Sequence, residues 1–197
     1  MGHAERVRMR DFEHVAIAEF VLREFRLHAA DGADQAARIV AALPDGLEPP
    51  VPLLRNIDDH RDVAIVSGLR AGEHFDEREL RVALAPLVAS WQPARRYGPR
   101  ISESAESRPS SYRLAVTESG INGRADEPGA PVREATEPGD APADVGLVWV
   151  GVPIGSFSGL MVLLGSYDDQ DGDRPDPRDW PLALARQLQV RIYETAR

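Results

Sequence analysis

The chain contains no cysteine. That removes thiolate nucleophiles, disulfides, iron–sulfur ligation and the cysteine-rich zinc sites. Lysine is missing as well, since every one of the 23 basic residues is arginine. Without a lysine amine no Schiff base can form on the chain, and the P-loop lysine is absent, which excludes PLP enzymes and Walker-type nucleotide hydrolases. Arginine throughout, alongside much Ala, Pro and Gly, is the mark of a GC-rich genome. No apolar run approaches the length needed to cross a bilayer, and the opening "MGHAERVRMRDFEH" lacks the apolar core of a signal peptide. A cytoplasmic protein with no membrane contact is expected. Positive charge is the scarcer sign, 23 basic against 32 acidic residues for a net charge of -9. Such a surface opposes sequence-independent phosphate binding, so nucleic acid is not expected as a partner. Neither Gly-x-Ser-x-Gly nor His-Glu-x-x-His occurs, which leaves the familiar hydrolase routes without support.

What is present suits one domain spanning residues 1–197, with 43% hydrophobic and 28% charged residues, both ordinary for a globular core. Asp11 can cap a helix over 11–28, whose apolar residues Phe12, Ile17, Phe20, Val21, Leu22 and Phe25 cover more of the circumference than one buried stripe requires. A shorter helix over 34–43 follows, so 11–43 reads as a helical hairpin. "LEPPVPLL" is an extended connector. "DVAIVSG" is a β-branched apolar run and reads as a buried strand. Asp76 and Glu79 make a capping arrangement for a helix to Trp91, kinked at Pro86. "RISESAE" and "SYRLAVTES" read as an antiparallel pair. "VGLVWVGVPI" and "LMVLLGS", joined by "GSFSG", form the strongest hairpin signal. Residues 122–144, rich in Pro, Gly and acids, are expected to be a mobile acidic loop. A terminal helix over 180–195 with Asp179 as its cap closes the chain.

Three sets of residues carry candidate chemistry. Asp169, Asp171 and Asp173 alternate around Gly172, as hard cations such as calcium or magnesium require of a short carboxylate loop. The segment resembles the calcium loops of thrombospondin-type repeats but lacks a second repeat and the usual glycine, so it also reads as a solvated loop leading into the last helix. No other cofactor is expected. Arg95, Arg96 and Arg100 gather around Tyr97, a pattern suited to a phosphate or carboxylate ligand with the ring stacking beside it. The alternative is that they pair with the excess acids. His74 with Glu77, and His60 in "DDH", are the residues available for acid–base catalysis.

The C-terminal part, "GLVWVGVPIGSFSGLMVLLGS" with the acidic loop and amphipathic stretch after it, resembles the end of GAF sensor domains over residues 145–197. That resemblance implies an α+β fold, an antiparallel sheet of about five strands packed with N- and C-terminal helices in a GAF-like or profilin-like layer. It also implies a sensing role without catalysis. The first expectation is therefore a non-enzymatic regulatory module that binds a protein partner or small-molecule ligand and self-associates, as a homodimer, through its outer helices. The second is a small acid–base enzyme using His or carboxylates, with or without a cation.

Overall fold

The computed structural model describes residues 13–14, 17–43, 52–73, 77–104, 109–118, 145–155, 159–167 and 189–195. In chain order the elements are β1 (Glu13–His14), β2 (Ile17–Leu27), a 3-10 turn (Ala30–Gly32), α1 (Ala33–Ala42), β3 (Leu54–Asn56), β4 (Asp62–Arg70), α2 (Glu77–Leu84), β5 (Val88–Trp91), β6 (Arg95–Ser104), β7 (Ser111–Glu118), β8 (Val145–Pro153), β9 (Gly159–Ser166) and β10 (Gln189–Thr195). Every strand pairing is antiparallel. The circuit β2-β6-β8-β9-β7-β10-β3-β4 returns to β2 and closes an eight-stranded barrel. Closure pairs the edge groups that an open sheet would expose.

The barrel is built from two similar halves. In the first, the sheet order is β3-β4-β2 followed by β6; in the second it is β8-β9-β7-β10. Each half thus places its strands in the order second, third, first, fourth. The seams also match: β6 joins β8 with Tyr97 opposite Pro153, and β10 joins β3 with Tyr193 opposite Asn56. One residue beyond each seam, the Ile154 N–H donates to the Arg96 carbonyl at 2.8 Å and the Ile57 N–H to the Ile192 carbonyl at 3.0 Å. Tyr97 faces Phe20 on its other side, and Tyr193 faces Leu114. The halves are therefore related by a pseudo-twofold along the barrel axis.

Strand alternation sorts the side chains. Phe20, Leu22, Tyr97, Leu114, Trp149 and Met161 belong to the buried cluster that fills the barrel. Phe25, Leu27, Val63 and Ile65 face outward and meet α1 and α2 through Ala36, Val40, Leu80 and Leu84. On the second half the outward residues Val148, Val150, Val162 and Leu164 form a third buried cluster. No described helix is long and apolar enough to cross a membrane, which leaves strand-based crossing unaddressed.

Several expectations are corrected. The helix over 11–28 is replaced by strands β1 and β2 where described, because a strand such as β2, covered on both faces, is apolar on both and imitates the broad stripe of a helix. Of its apolar residues Ile17, Phe20 and Leu22 enter the barrel, Phe25 lies under the helices and Val21 is buried on the outer face, so the segment offers no outer helix for self-association. Only the shorter helix of the expected hairpin is found, as α1. The helix expected to reach Trp91 ends at Leu84, and β5 begins two residues past Pro86. "RISESAE" and "SYRLAVTES" do not pair with each other: β6 pairs with β8, and β7 with β9 and β10. Residues 189–195 of the expected last helix are β10. The five-strand α+β layer gives way to a closed barrel with two short helices among the described residues. The buried strand at β4 and the β8–β9 hairpin are as read from the sequence. The loop 122–144 lies outside the described residues.

Candidate active site

One end of the barrel interior is polar. On β2 the inward series Phe20, Leu22 continues to Glu24, whose residue is only 4% exposed. An ionised carboxylate is tolerated at such a depth only when it is paired and hydrogen-bonded. Here Glu24 receives three donors from two other strands, β6 and β10. Its Oε1 accepts the Tyr193 hydroxyl at 2.5 Å. The Arg95 guanidinium pairs with its Oε2. Arg191 approaches Oε1 at 3.2 Å and Oε2 at 3.3 Å. Tyr193 is buried with it and the Arg95 side chain is 15% exposed, whereas the Arg191 side chain keeps 38% of its surface exposed.

The Tyr193 phenol is held far above its ordinary value of 10.0, first by burial, then by the Glu24 charge and hydrogen bond; Arg191 and a hydrogen bond with the Asn56 side chain act the other way. Below this layer the interior is aromatic, with Phe20 and Trp149 stacked at a centroid distance of 5.0 Å and an interplanar angle of 27°. Gly151 admits these rings, since a Cβ there would stand 2.7 Å from Tyr97 Cβ and 3.0 Å from Phe20 Cδ2.

The rim beside Glu24 is the turn between β3 and β4. Asn56 Oδ1 accepts the backbone N–H groups of Asp58 at 2.8 Å and Asp59 at 3.1 Å. Asp59 is gripped by Arg61 and Arg26, and Arg26 also reaches Asp62 at 2.7 Å. The side-chain and backbone donors of Arg61, followed by Arg26, hold the Asp59 carboxyl well below the usual carboxylate range.

The residues singled out in the sequence are dispersed. Alternation along β6 sends Arg95 and Tyr97 into the barrel and Arg96 to the outer face, where it pairs with Glu19 at 2.6 Å. Arg100 is exposed on the same strand. Also on the outer face, buried Arg23 donates to Ser67 Oγ at 3.0 Å. Burial pushes its guanidinium down to about 10, with the charges of Glu77 and Glu19 opposing. Glu77 opens α2 and pairs with Arg81 at 2.7 Å, while His60 sits in the β3–β4 turn. His74 and the three aspartates Asp169, Asp171 and Asp173 lie outside the described residues. Among the described residues no three His, Asp or Glu side chains converge on a common metal position. Glu24, Asn56, Arg191 and Tyr193 were not foreseen. A faint signal existed: "RRY" at 95–97 and "RIY" at 191–193 repeat the Arg-x-Tyr pattern on the fourth strand of each half.

No family model matches the chain, and no curated protein matches it in sequence. Its fold is shared with solved structures over nearly its whole length. A presumed monooxygenase from Fusobacterium nucleatum superposes with a TM-score of 0.55 at 7% identity, covering 91% of each chain. Another presumed monooxygenase, from Lactobacillus acidophilus, gives 0.51 at 11% identity over 90% of this chain and 93% of that one. An anthrone oxidase-like protein gives 0.50 at 13% identity over 91% and 92%. At such identities the likeness is one of fold. It overturns the GAF resemblance of residues 145–197, because among the described residues of that segment the β8–β9 hairpin is followed by the barrel strand β10 where the resemblance implies a helix. The regulatory, non-catalytic reading rested on that resemblance and falls with it.

Proposed function

We propose that the protein is an enzyme that takes a proton from a weakly acidic aromatic substrate at the Glu24 end of the barrel and passes the resulting anion to dioxygen. The observation that carries this is the buried Glu24 carboxylate, clasped by Tyr193, Arg95 and the partly exposed Arg191 beside an aromatic interior. The fold likeness to proteins described as monooxygenases and an anthrone oxidase supports an oxidative outcome. An anthrone-type methylene suits such a site, since its deprotonation yields an extended aromatic enolate. Glu24 takes the proton, and the guanidinium at the mouth stabilises the oxygen on which charge develops. The carbanion then adds to dioxygen. The peroxide so formed recovers the proton and loses water, so that a CH₂ group and O₂ become a carbonyl group and H₂O. A cytoplasmic location is kept as part of the proposal, to be checked by cell fractionation.

Oxygen uptake by the purified protein with anthrone as probe tests the reading. Turnover above the uncatalysed background is expected, with Glu24→Gln reducing it by on the order of a hundredfold. A wild type that consumes no oxygen, or a folded Glu24→Gln variant with full activity, would overturn it.

A further inference from the structure

Trp149 on β8 is fully buried inside the barrel and stacked on Phe20. An indole N–H only donates, and a buried tryptophan ordinarily finds it an acceptor. Among the described residues the Trp149 Nε1–H has none. Leaving such a donor unmet costs about 1 to 3 kcal/mol, and a plain phenyl ring would stack on Phe20 without that cost. The chain around the indole is mainly hydrocarbon: Phe20, Leu163 beside it on β9 and, across the barrel, Gly68, where an added Cβ would stand 3.2 Å from Trp149 Cη2. Ser102, paired with it on β6, is the polar exception. A trapped water needs two to four polar partners, so an oxygen carried on a flat, largely apolar ligand is the better match for this layer.

Phe20 and Glu24 share the inward face of β2, where four residues at about 3.3 Å each put them about 13 Å apart, with Leu22 as an apolar floor between them. A fused-ring aromatic spans that length and a single ring does not. We propose that Trp149 is the buried hydrogen-bond donor to an oxygen at the inner end of such a ligand, a carbonyl or phenolic oxygen, while the outer end lies against Glu24, Arg95 and Arg191. The site so formed selects ligands with oxygen at the buried end, which the Glu24 end alone does not require. That this ligand is the substrate oxidised rests on the function proposed above; the match of a buried donor to an acceptor oxygen does not.

Binding of anthraquinone-2-sulfonate and of anthracene-2-sulfonate tests this. The two probes share the fused rings and an anionic group for the guanidiniums, only the first carries carbonyl oxygens, and neither has a methylene proton to lose, so binding is read apart from turnover. In protein isotopically labelled at the indole nitrogens, the Trp149 N–H resonance is identified by its loss in Trp149→Phe, or by elimination with Trp91→Phe and Trp180→Phe if that variant does not fold. The resonance should move downfield with the anthraquinone and not with the anthracene. Trp149→Phe should weaken binding of the anthraquinone alone, by about tenfold, within the worth of one hydrogen bond. A resonance that neither probe moves, or that both move equally, would overturn the proposal, as would a folded Trp149→Phe variant that binds both probes as the wild type does. So would a resonance already at a hydrogen-bonded position in the free protein, which would assign the donor to a trapped water. The expected shift in a protein that consumes no oxygen with anthrone would keep the role of Trp149 in binding and remove the oxidative function alone; oxygen uptake without the shift would do the reverse.

Discussion

The two halves of the barrel share strand order and carry Arg-x-Tyr at the same register, yet their fourth-strand tyrosines meet different neighbours. Tyr193 faces Asn56 across one seam; Tyr97 faces Pro153 across the other. Two residues further along, the difference repeats in steric form, with Leu54 fully buried on β3 and Gly151 at the matching place on β8. The first half supplies Glu24 two residues beyond Leu22, the residue opposite Arg95, and the second half has Glu118 two residues beyond Val116, the residue opposite Arg191. A shared frame with unequal contents is what duplication followed by specialisation produces. The barrel needs both halves to close, whichever residues each half presents inside it.

The comparison breaks most sharply at Glu24. Replacing it with Ala removes the carboxylate that two guanidiniums and a phenol share, and loss of one partner from a buried ionic network costs about 3 to 5 kcal/mol. The lower end is expected, because Arg191 still reaches water. Urea unfolding of Glu24→Ala measures it, and a loss below about 1 kcal/mol would show that this carboxylate does not hold the barrel mouth together.

Tyr193→Phe comes next. Removing a hydrogen bond to an ionised group costs about 2 kcal/mol at neutral pH. The loss has a pH signature with a definite sign. Tyr193 in the folded protein is raised above its ordinary value of 10.0, so its stabilising contribution is complete below that pH and is lost as pH rises above it, where the unfolded chain releases the proton and the folded one does not. The stability gap between wild type and variant should therefore shrink by about 1.4 kcal/mol per pH unit above pH 10. Buried Arg23, whose lowered value acts in the opposite sense over the same range, is common to both proteins and drops out of the difference. A gap that stays constant from pH 9 to 11 would show that Tyr193 is not ionisation-linked to folding.

How much of this was legible follows from the periods involved. The β8–β9 hairpin, β4 and α1 were readable because each is short, bounded by turn residues and dominated by one pattern. Strand β2 was not, since Phe20, Leu22 and Glu24 face the barrel while Val21, Arg23 and Phe25 face away, and covering both faces erases the alternation that marks a strand. The barrel itself depends on pairings far apart in sequence, such as Tyr193 with Asn56, which no local pattern announces. The arginine cluster at 95–100 did point to a residue of the site, Arg95, but its neighbours were grouped as one patch where a strand must divide them. Glu24 gave no signal at all, being one acid among 32 in the chain.

A steric version of the comparison is Gly151→Ala. The new methyl would lie 2.7 Å from Tyr97 Cβ, which is fixed to the backbone, and 3.0 Å from the Phe20 ring, so neither can yield without moving its strand. Overpacking of this kind costs about 1 to 3 kcal/mol. Gly68→Ala offers the control, because the closest atom there is Ile17 Cδ1 at 2.6 Å, the far end of a flexible side chain. Thermal melts should place Gly151→Ala below Gly68→Ala, and the reverse order would mean that the tight layer of the barrel lies at Trp149 and not at Tyr97.

The smallest effect is expected from making the two seams alike. Pro153→Asn puts an amide opposite Tyr97, as Asn56 stands opposite Tyr193. Pro153 closes β8 and is partly exposed, so the substitution removes little buried surface and should change stability by less than about 1 kcal/mol. The N–H groups of the second and third residues onward occupy the Asn56 oxygen on the β3 side. Instead the chain after Pro153 runs through Ile154, whose N–H is already committed to the Arg96 carbonyl, and Gly155, which sits at a φ of 116°. A loss of more than about 2 kcal/mol in urea unfolding of Pro153→Asn would show instead that this seam depends on the proline.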